Sequence, residues 1–383
     1  MDSIDLIHSK IVERNSIGID DSFYIFHSQD VRLKYQNWIE LIPRVTPFYA
    51  VKCNDDPAMV QSLAQLGTGF DCASIKELSQ ILEMGIEPNR IIYAHTIKQA
   101  SHLKYAAENG VQMVTFDCPA ELEKIKKIHP NAKVVLRIKF DAEESISCMG
   151  IKFGCDPIAE APDLIKKCND LEMNLIGISF HVGAGTYDYK VYEKALQAVR
   201  RLFDVAVKFQ YKLRLVDIGG GFMGNDIDLL RNYSKYINKG IDQYFADPSV
   251  TIIAEPGRYF SESAFSLVVQ VILKKISIDG HRHYFVNDST YQSFLIAHQY
   301  QIKLQYRIIR KTRCSAAPFE YRSTIWGQTC CSEDKIVDSH VMPELEIDDH
   351  IVFENMGAYT TTLSSHFNGF QVGKIVDIHT NSR

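Results

Sequence analysis

Several short apolar runs in the earlier part of this chain carry a polar residue at or near their end. Lys52 ends FYAVK, Asp71 sits in TGFDCA, His95 ends IIYAH, His181 lies in LIGISFHV and Glu255 in TIIAEP. A lysine desolvated at the end of a buried strand loses its proton more easily, which frees its amine for Schiff-base chemistry. Alone, such a lysine reads as an ordinary side chain that snorkels to solvent. Two further segments suit an anion: Asp217-Ile218-Gly219-Gly220-Gly221-Phe222 and Glu255-Pro256-Gly257-Arg258. Their glycines let backbone N–H groups approach closely, and Arg258 adds a bidentate donor. A triple glycine by itself is often only a tight turn. A lysine and a phosphate site together imply pyridoxal 5'-phosphate. Glu255 facing the pyridine nitrogen would keep that ring protonated as an electron sink, and His181 would stack on its face.

A second group lies later, in IWGQTCCSEDKIV, where Cys330 and Cys331 are adjacent and Glu333 and Asp334 follow. The pair raises a disulfide, a metal ligand or a nucleophile. Adjacent cysteines close only a strained ring, which disfavours the disulfide. The nine cysteines (53, 72, 118, 148, 155, 168, 314, 330, 331) are odd in number, scattered, and contain no CxxC spacing. That disfavours a disulfide framework and a structural zinc site, so no metal is expected. A reducing, cytoplasmic compartment fits such thiols.

These residues need elements to hold them. Eight apolar runs recur between Pro47 and Pro256: 48–52, 68–73, 91–95, 113–117, 133–138, 175–182, 213–219 and 251–256. Stretches of helical periodicity separate them, such as SIKELSQILEMG, where Ser74 and Glu77 make a capping box. Near-continuous apolar strands alternating with amphipathic helices predict parallel β/α units, and eight of them predict a TIM-like (β/α)8 barrel. A doubly wound open sheet is the alternative arrangement. Active sites of such barrels lie at the C-terminal strand ends, with phosphate held after strands seven and eight. After about residue 262 strand-like runs dominate (FSLVVQVILKK, HYFVND, IKLQYRII, STIWG, HIVFE, GKIVDIH), which predicts a mostly antiparallel β-barrel or sandwich domain. The expected organisation is an N-terminal segment, 1–27, packing with the β domain; a cofactor-binding barrel, 28–262; and a β domain, 263–383. Positions 310–322 read as a surface loop.

Composition sets outer bounds. The 383 residues are 46% hydrophobic and 23% charged with net charge −5, which favours neither nucleic acid nor an acidic surface as partner. No apolar run approaches the roughly 18 residues of a membrane span. The start, MDSIDLIHSKIVER, lacks the apolar stretch of a secretory signal, and no long disordered tail is expected past Phe370.

At this point a family becomes recognisable. Pro47-Phe48-Tyr49-Ala50-Val51-Lys52-Cys53-Asn54, Phe70-Asp71-Cys72-Ala73-Ser74, Ser179-Phe180-His181-Val182-Gly183 and the two glycine segments resemble the eukaryotic ornithine decarboxylase family. Val286-Asn287-Asp288, Trp326-Gly327, Met356-Gly357-Ala358-Tyr359-Thr360 and Phe367-Asn368-Gly369-Phe370 continue the resemblance, which spans about residues 20 to 370. These are fold-type-III, pyridoxal-phosphate-dependent basic amino acid decarboxylases of polyamine biosynthesis. They form homodimers with shared active sites, and the family also holds inactive antizyme inhibitors. The resemblance implies that Lys52 bonds the cofactor, Glu255 meets the pyridine nitrogen, Asp71 lies near lysine and ring, and His181 stacks. It implies that Gly220, Gly221, Gly257, Arg258 and Tyr359 hold the cofactor and its phosphate. Cys330, reaching from the partner subunit, would protonate the α-carbon after CO2 leaves, a task suited to a thiol of pKa about 8.5.

Departures from the family mark this chain. Ala184 replaces a serine in His-Val-Gly-Ser-Gly, and Cys148 stands where an arginine is common. Cys331 replaces the aspartate after the catalytic cysteine, and Tyr300 replaces the aspartate of Gly-Ser-Phe-Asn-Cys-Ile-Leu-Tyr-Asp. Those two aspartates bind the distal ammonium of ornithine. Losing two charge-assisted hydrogen bonds costs on the order of a hundredfold or more in kcat/KM. A later aspartate that pairs across the dimer is kept as Asp334. The leading expectation is therefore a decarboxylase with a shifted side-chain pocket formed around Cys331, Tyr300 and Asp334. One alternative is a weak or inactive, antizyme-inhibitor-like homologue that binds an antizyme-like regulator. Another is an ordinary ornithine or lysine decarboxylase that uses Glu333 or Asp334. A racemase or diaminopimelate decarboxylase shares the lysine and the fold, but the wording around Lys52 and Asp71 favours the ornithine branch.

Overall fold

The computed structural model describes residues 3–145, 147–311 and 319–377. Two compact units divide the chain: Val31–Phe260, and the remainder up to Asp30 and from Ser261 onward. Strand β1 (Phe23–Phe26) belongs to the second unit. The first unit is a closed barrel of β2 (Val45–Ala50), β3 (Gly69–Cys72), β4 (Ile91–Tyr93), β5 (Met113–Phe116), β6 (Lys133–Lys139), β7 (Asn174–His181), β8 (Leu215–Asp217) and β9 (Thr251–Ala254). All eight pairings are parallel, including the closing pair β2 to β9. Each of the eight runs predicted from sequence overlaps one of these strands. The barrel is closed, so the doubly wound alternative falls away.

Why the barrel closes is visible in its filling. Phe48, Ile92, Val135 and Leu215, from the first, third, fifth and seventh barrel strands, form one apolar cluster with Ile253. Side chains from alternate strands meeting in a layer are how an eight-stranded parallel barrel excludes water. Helices on the outside complete each unit. In helix Ile75–Glu83 the Ser74 hydroxyl accepts from the Glu77 N–H at 3.3 Å, and the Glu77 carboxylate accepts from the Ala73 N–H at 2.6 Å. These bonds satisfy helix-start donors and fix the turn leaving β3, the strand that carries Asp71.

The second unit is a mixed, mostly antiparallel sheet. Its strands are β1 with β10 (Phe265–Ile276), β11 (Arg282–Val286), β12 (Tyr306–Ile309), β13 (Glu320–Trp326), β14 (Lys335–Pro343), β15 (His350–Phe353) and β16 (Lys374–Asp377). The main order is β12-β15-β10-β11-β13-β14, and β1 pairs with β10 and β16. Ile7 and Ile11 of the helix Ser3–Ser16 pack in one buried cluster with Phe23, Ile25, Val268, Ile309 and Val352. Strand β14 escaped the sequence reading because KIVDSHVMP mixes polar and apolar residues and is largely exposed. Within IKLQYRII only Tyr306–Ile309 is strand, and Leu295–Gln299 forms a short helix. The loop expected over 310–322 lies mainly outside the described residues, and positions 320–322 already belong to β13. Among the described residues no helix is long and apolar enough to cross a membrane.

Candidate active site

The barrel's C-terminal strand ends bring Lys52, Asp71, His181, Asp217 and Glu255 to one mouth. Lys52 lies in the one-turn helix Val51–Cys53 that follows β2, and its amine is ion-paired with Asp71 of β3. Residues Ala50 and Asp71 are register partners, so strand pairing itself sets this meeting. His181 ends β7, Asp217 ends β8, and Glu255 follows β9. The Glu255 N–H donates to Gly219 O at 2.7 Å, which ties the loop after β8 to the loop after β9.

Glycine is required in that first loop. Gly219 and Gly221 have φ of +65° and +101°, the left-handed region that disfavours a side chain. A Cβ on Gly219 would lie 2.2 Å from Phe180 O, and one on Gly221 would lie 2.1 Å from Gly183 O. At Gly220 a Cβ would meet Glu255 O at 2.7 Å and His181 Nε2 at 3.0 Å. The cradle between His181 and Glu255 thus exists only because these side chains are absent. Gly257 is held the same way, with a Cβ there 2.8 Å from Cys53 Cβ. Arg258 opens the four-residue helix Arg258–Ser261 directly after it.

Electrostatics divide the mouth into neutral and charged parts. Desolvation, and then the positive charges of Arg137 and Lys52, push His181 down to a pKa of about 3, so its ring is neutral. His181 Nδ1 accepts the Gly183 N–H at 3.0 Å, which leaves the ring proton on Nε2. Desolvation raises both Asp217 and Glu255, and the negative charges of Asp217 and Asp71 raise Glu255 further. Asp71 is 1% exposed, and its Oδ1 has no hydrogen-bond partner among the described residues.

This donor set fits pyridoxal 5'-phosphate. The group needs an amine for its aldehyde, a carboxyl for its ring nitrogen, a flat neutral face and N–H donors for its phosphate. Lys52, Glu255, His181 and the glycine cradle with Arg258 correspond to these, and the buried orphan oxygens of Asp71 and Asp217 are acceptors in want of a donor.

In the β domain the residues of interest sit on the connection between β13 and β14. Its organiser is Asp334, which is 1% exposed. The Asp334 carboxylate accepts from Ser289 Oγ at 3.0 Å, Thr290 N at 2.8 Å, Thr290 Oγ1 at 2.9 Å, Thr329 N at 3.0 Å and Thr329 Oγ1 at 2.6 Å. Cys330 is exposed, and its N–H donates to Asn368 Oδ1 at 2.9 Å from the Phe-Asn-Gly-Phe segment. Cys331 is half-buried, with its sulfur 3.0 Å from the Tyr291 hydroxyl. Tyr300 is 39% exposed and caps the end of the helix Leu295–Gln299. Tyr359 has φ +58°, rare for an aromatic residue, and Gly357 before it donates to Glu262 O at 3.0 Å.

Two expectations change on this geometry. Lys52 is not desolvated: its side chain keeps 44% exposure and is held by the Asp71 carboxylate, because the turn after β2 lifts it out of the barrel. Asp334 does not present a free carboxylate to a substrate: its hydrogen bonds are spent within its own domain, where they shape the cysteine loop. Glu333, its neighbour, is exposed instead and lines a cavity of about 380 Å³ with His298, Lys303 and His340. Two residues escaped notice in the sequence. Arg137 projects a positive charge on His181 and Asp217 from mid-strand β6, where an alternating pattern hides it. Asp217 was visible only as the first letter of a glycine segment. The eight described cysteines are free thiols, and no cluster of metal-binding side chains occurs among the described residues.

Comparison with known proteins agrees with this arrangement. The pyridoxal binding domain of the pyridoxal-dependent decarboxylases matches residues 28–262. Antizyme inhibitor 2 of Xenopus laevis is 43% identical, covering 96% of this chain and 83% of that protein. Ornithine decarboxylase of Rattus norvegicus is 42% identical, covering 96% of this chain and 82% of that protein. The crystal structure of Paramecium bursaria Chlorella virus arginine decarboxylase bound to agmatine superposes with a TM-score of 0.92 at 36% identity, over 98% of this chain and 100% of that one.

Proposed function

The chain belongs to the pyridoxal-dependent decarboxylases, in their ornithine decarboxylase branch, and from that premise we propose that it decarboxylates an L-amino acid other than ornithine. The observation that carries this reading is local. Cys331 places its sulfur 3.0 Å from the Tyr291 hydroxyl, while Lys52, Asp71, His181, Glu255 and Cys330 all remain. The cofactor and proton machinery is kept, and the groups that would pair a terminal ammonium are replaced.

Bound pyridoxal phosphate supplies the electron sink that accepts the bonding pair as CO2 departs. The chain's own residues do the rest. Lys52 bonds the cofactor, and Asp71 pairs with the Lys52 amine. Glu255 keeps a proton at the ring nitrogen. His181, held neutral, offers a flat face without adding a charge that would oppose the pyridinium. Gly220, Gly221, Gly257 and Arg258 would bind the phosphate end. Cys330 gives its S–H proton to the α-carbon, and the thiolate recovers a proton from solvent. The exposure of Cys330 suits a thiol that serves the site of a second copy, so a homodimer with shared sites is part of the proposal. Side-chain selection falls to Cys331, Tyr300 and their surroundings.

Purified protein with pyridoxal phosphate and a panel of twenty L-amino acids tests this. CO2 release is expected from an amino acid with an uncharged or differently placed polar side chain, faster than from ornithine. No CO2 from any of them would overturn the proposal. A basic substrate bound through exposed Glu333 is a variant of the same reading, and Glu333→Gln would then raise KM for that substrate.

The likeness to antizyme inhibitor 2, together with the replaced aspartates, favours a second reading: a regulatory homologue that competes for an antizyme-like partner in the cytoplasm. Under it, the protein shows no turnover but displaces ornithine decarboxylase from antizyme. A cofactor absorbance band that disappears in Lys52→Ala, accompanied by turnover, would exclude it.

A further inference from the structure

Three backbone segments of the barrel unit lie against one another at the mouth. The first is the glycine loop, 219–221. The second is 183–185: a Cβ on Gly221 would lie 2.1 Å from Gly183 O, and the Gly185 N–H donates to Gly221 O at 3.4 Å. The third belongs to the loop after β6. There Ser147 pairs with Ala184 in an isolated antiparallel bridge, and the Ala184 N–H donates to Ser147 O at 3.2 Å. The donors of these segments are spent unevenly. All three N–H groups of 183–185 are used, by His181 Nδ1 at 3.0 Å, by Ser147 O and by Gly221 O. The Gly220 and Gly221 N–H groups have no partner among the described residues. A phosphate carries three strong acceptor oxygens, and Ala184 has no side-chain donor to offer them.

Ser147 has such a donor. Residues opposite each other in an antiparallel bridge carry their side chains on the same face, with Cβ atoms about 5 Å apart. The Ser147 hydroxyl therefore shares a face with the Ala184 methyl. It has no hydrogen-bond partner among the described residues, and Ser147 is half-buried. Ser145, two residues earlier, differs: its Oγ lies 3.3 Å from Cys148 Sγ. The loop is tied down on both sides of Ser147. The Ala142 N–H donates to Val182 O at 3.0 Å, and Asp141 Oδ1 accepts from Met149 N at 3.1 Å and Gly150 N at 2.9 Å. We propose that Ser147 donates its O–H to the phosphate of pyridoxal 5'-phosphate. The assignment rests on the reading that the glycine loop holds that phosphate. Ala184 stands where the resemblance places a serine, so the hydroxyl missing from one side of the bridge is carried by the other.

Absorbance titration of the cofactor-free protein with pyridoxal 5'-phosphate and with pyridoxal, which lacks the phosphate, tests this without substrate. The readout is the ratio of the two affinities. The wild type should favour the phosphorylated ligand strongly. Ser147→Ala should lower the ratio about tenfold, the loss of one hydrogen bond to a charged group, and leave the affinity for pyridoxal unchanged. Adding Ala184→Ser to Ser147→Ala returns a hydroxyl to the same face and should recover most of the ratio. An unchanged ratio in Ser147→Ala would overturn the proposal. Equal weakening of both ligands would overturn it too, because the loop would then act only as structure. Should Ser147→Ala fail to fold, Ser147→Cys decides the matter: it keeps the shape and weakens the donor, so the ratio should fall several-fold. A full ratio there would contradict the proposal. A wild-type ratio near one would instead remove the phosphate reading of the glycine loop, and this proposal with it, so the two failures are told apart.

Discussion

The barrel mouth and the cysteine loop handle their carboxylates differently. At the mouth, Asp71 and Asp217 are buried with oxygens left unpartnered, and Lys52 stands beside them half-exposed. In the loop between β13 and β14, the one buried carboxylate, Asp334, is saturated by hydrogen bonds, and the thiol beside it is exposed. Unsatisfied buried acceptors cost stability, so a fold keeps them where a ligand will complete them. Saturated ones shape backbone. The difference teaches that the mouth keeps acceptors suited to a ligand's donors, whereas the loop is a finished scaffold that holds the Cys330 side chain exposed.

Substitutions can break that contrast, and the largest effect is expected from Lys52→Ala. It should remove covalent cofactor attachment and measurable decarboxylation, read as loss of the cofactor's absorbance band and of CO2 release. Cys330→Ala comes next. It should reduce turnover of any substrate by about a thousandfold through loss of the proton donor, while cofactor absorbance persists. The contrast is sharpened by restoring charge to the loop: Cys331→Asp with Tyr300→Asp should raise kcat/KM for ornithine about a hundredfold. No change would mean that these positions do not line the side-chain pocket.

Smaller effects concern stability. Asp334→Ala leaves Ser289, Thr290 and Thr329 donors unsatisfied and should destabilise the β domain by about 2 kcal/mol in urea unfolding. If the loop were a ligand site like the mouth, the same change would instead be nearly neutral. The smallest effect is a slope. His181 binds its proton more weakly in the fold, near 3, than at its ordinary value of 6.5. Between those values the unfolded chain holds more protons, so barrel stability should fall as pH is lowered through that window. His181→Gln should flatten the slope.

How much of this was legible beforehand varies with physical scale. The eight barrel strands are legible because fully buried strands are written as continuous apolar runs, such as KVVLRI and TIIAEP. Lys52, His181 and Glu255 are legible because topology places strand ends together. The state of each side chain is not. Whether Lys52 is desolvated depends on the turn Val51–Cys53, and whether Asp334 is free depends on Ser289 and Thr290, some 45 residues upstream. Strand β14 was hidden because an exposed edge need not alternate cleanly. Arg137 and Asp217 matter through charges from other strands, which no local pattern records.

The central claim is retained chemistry with a changed substrate. Rates of CO2 release from ornithine, lysine, arginine and the remaining L-amino acids, measured on one preparation with saturating pyridoxal phosphate, test it most directly. The account predicts turnover abolished by Lys52→Ala and a preferred substrate other than ornithine. Ornithine as the fastest substrate, or no CO2 from any amino acid, would contradict it.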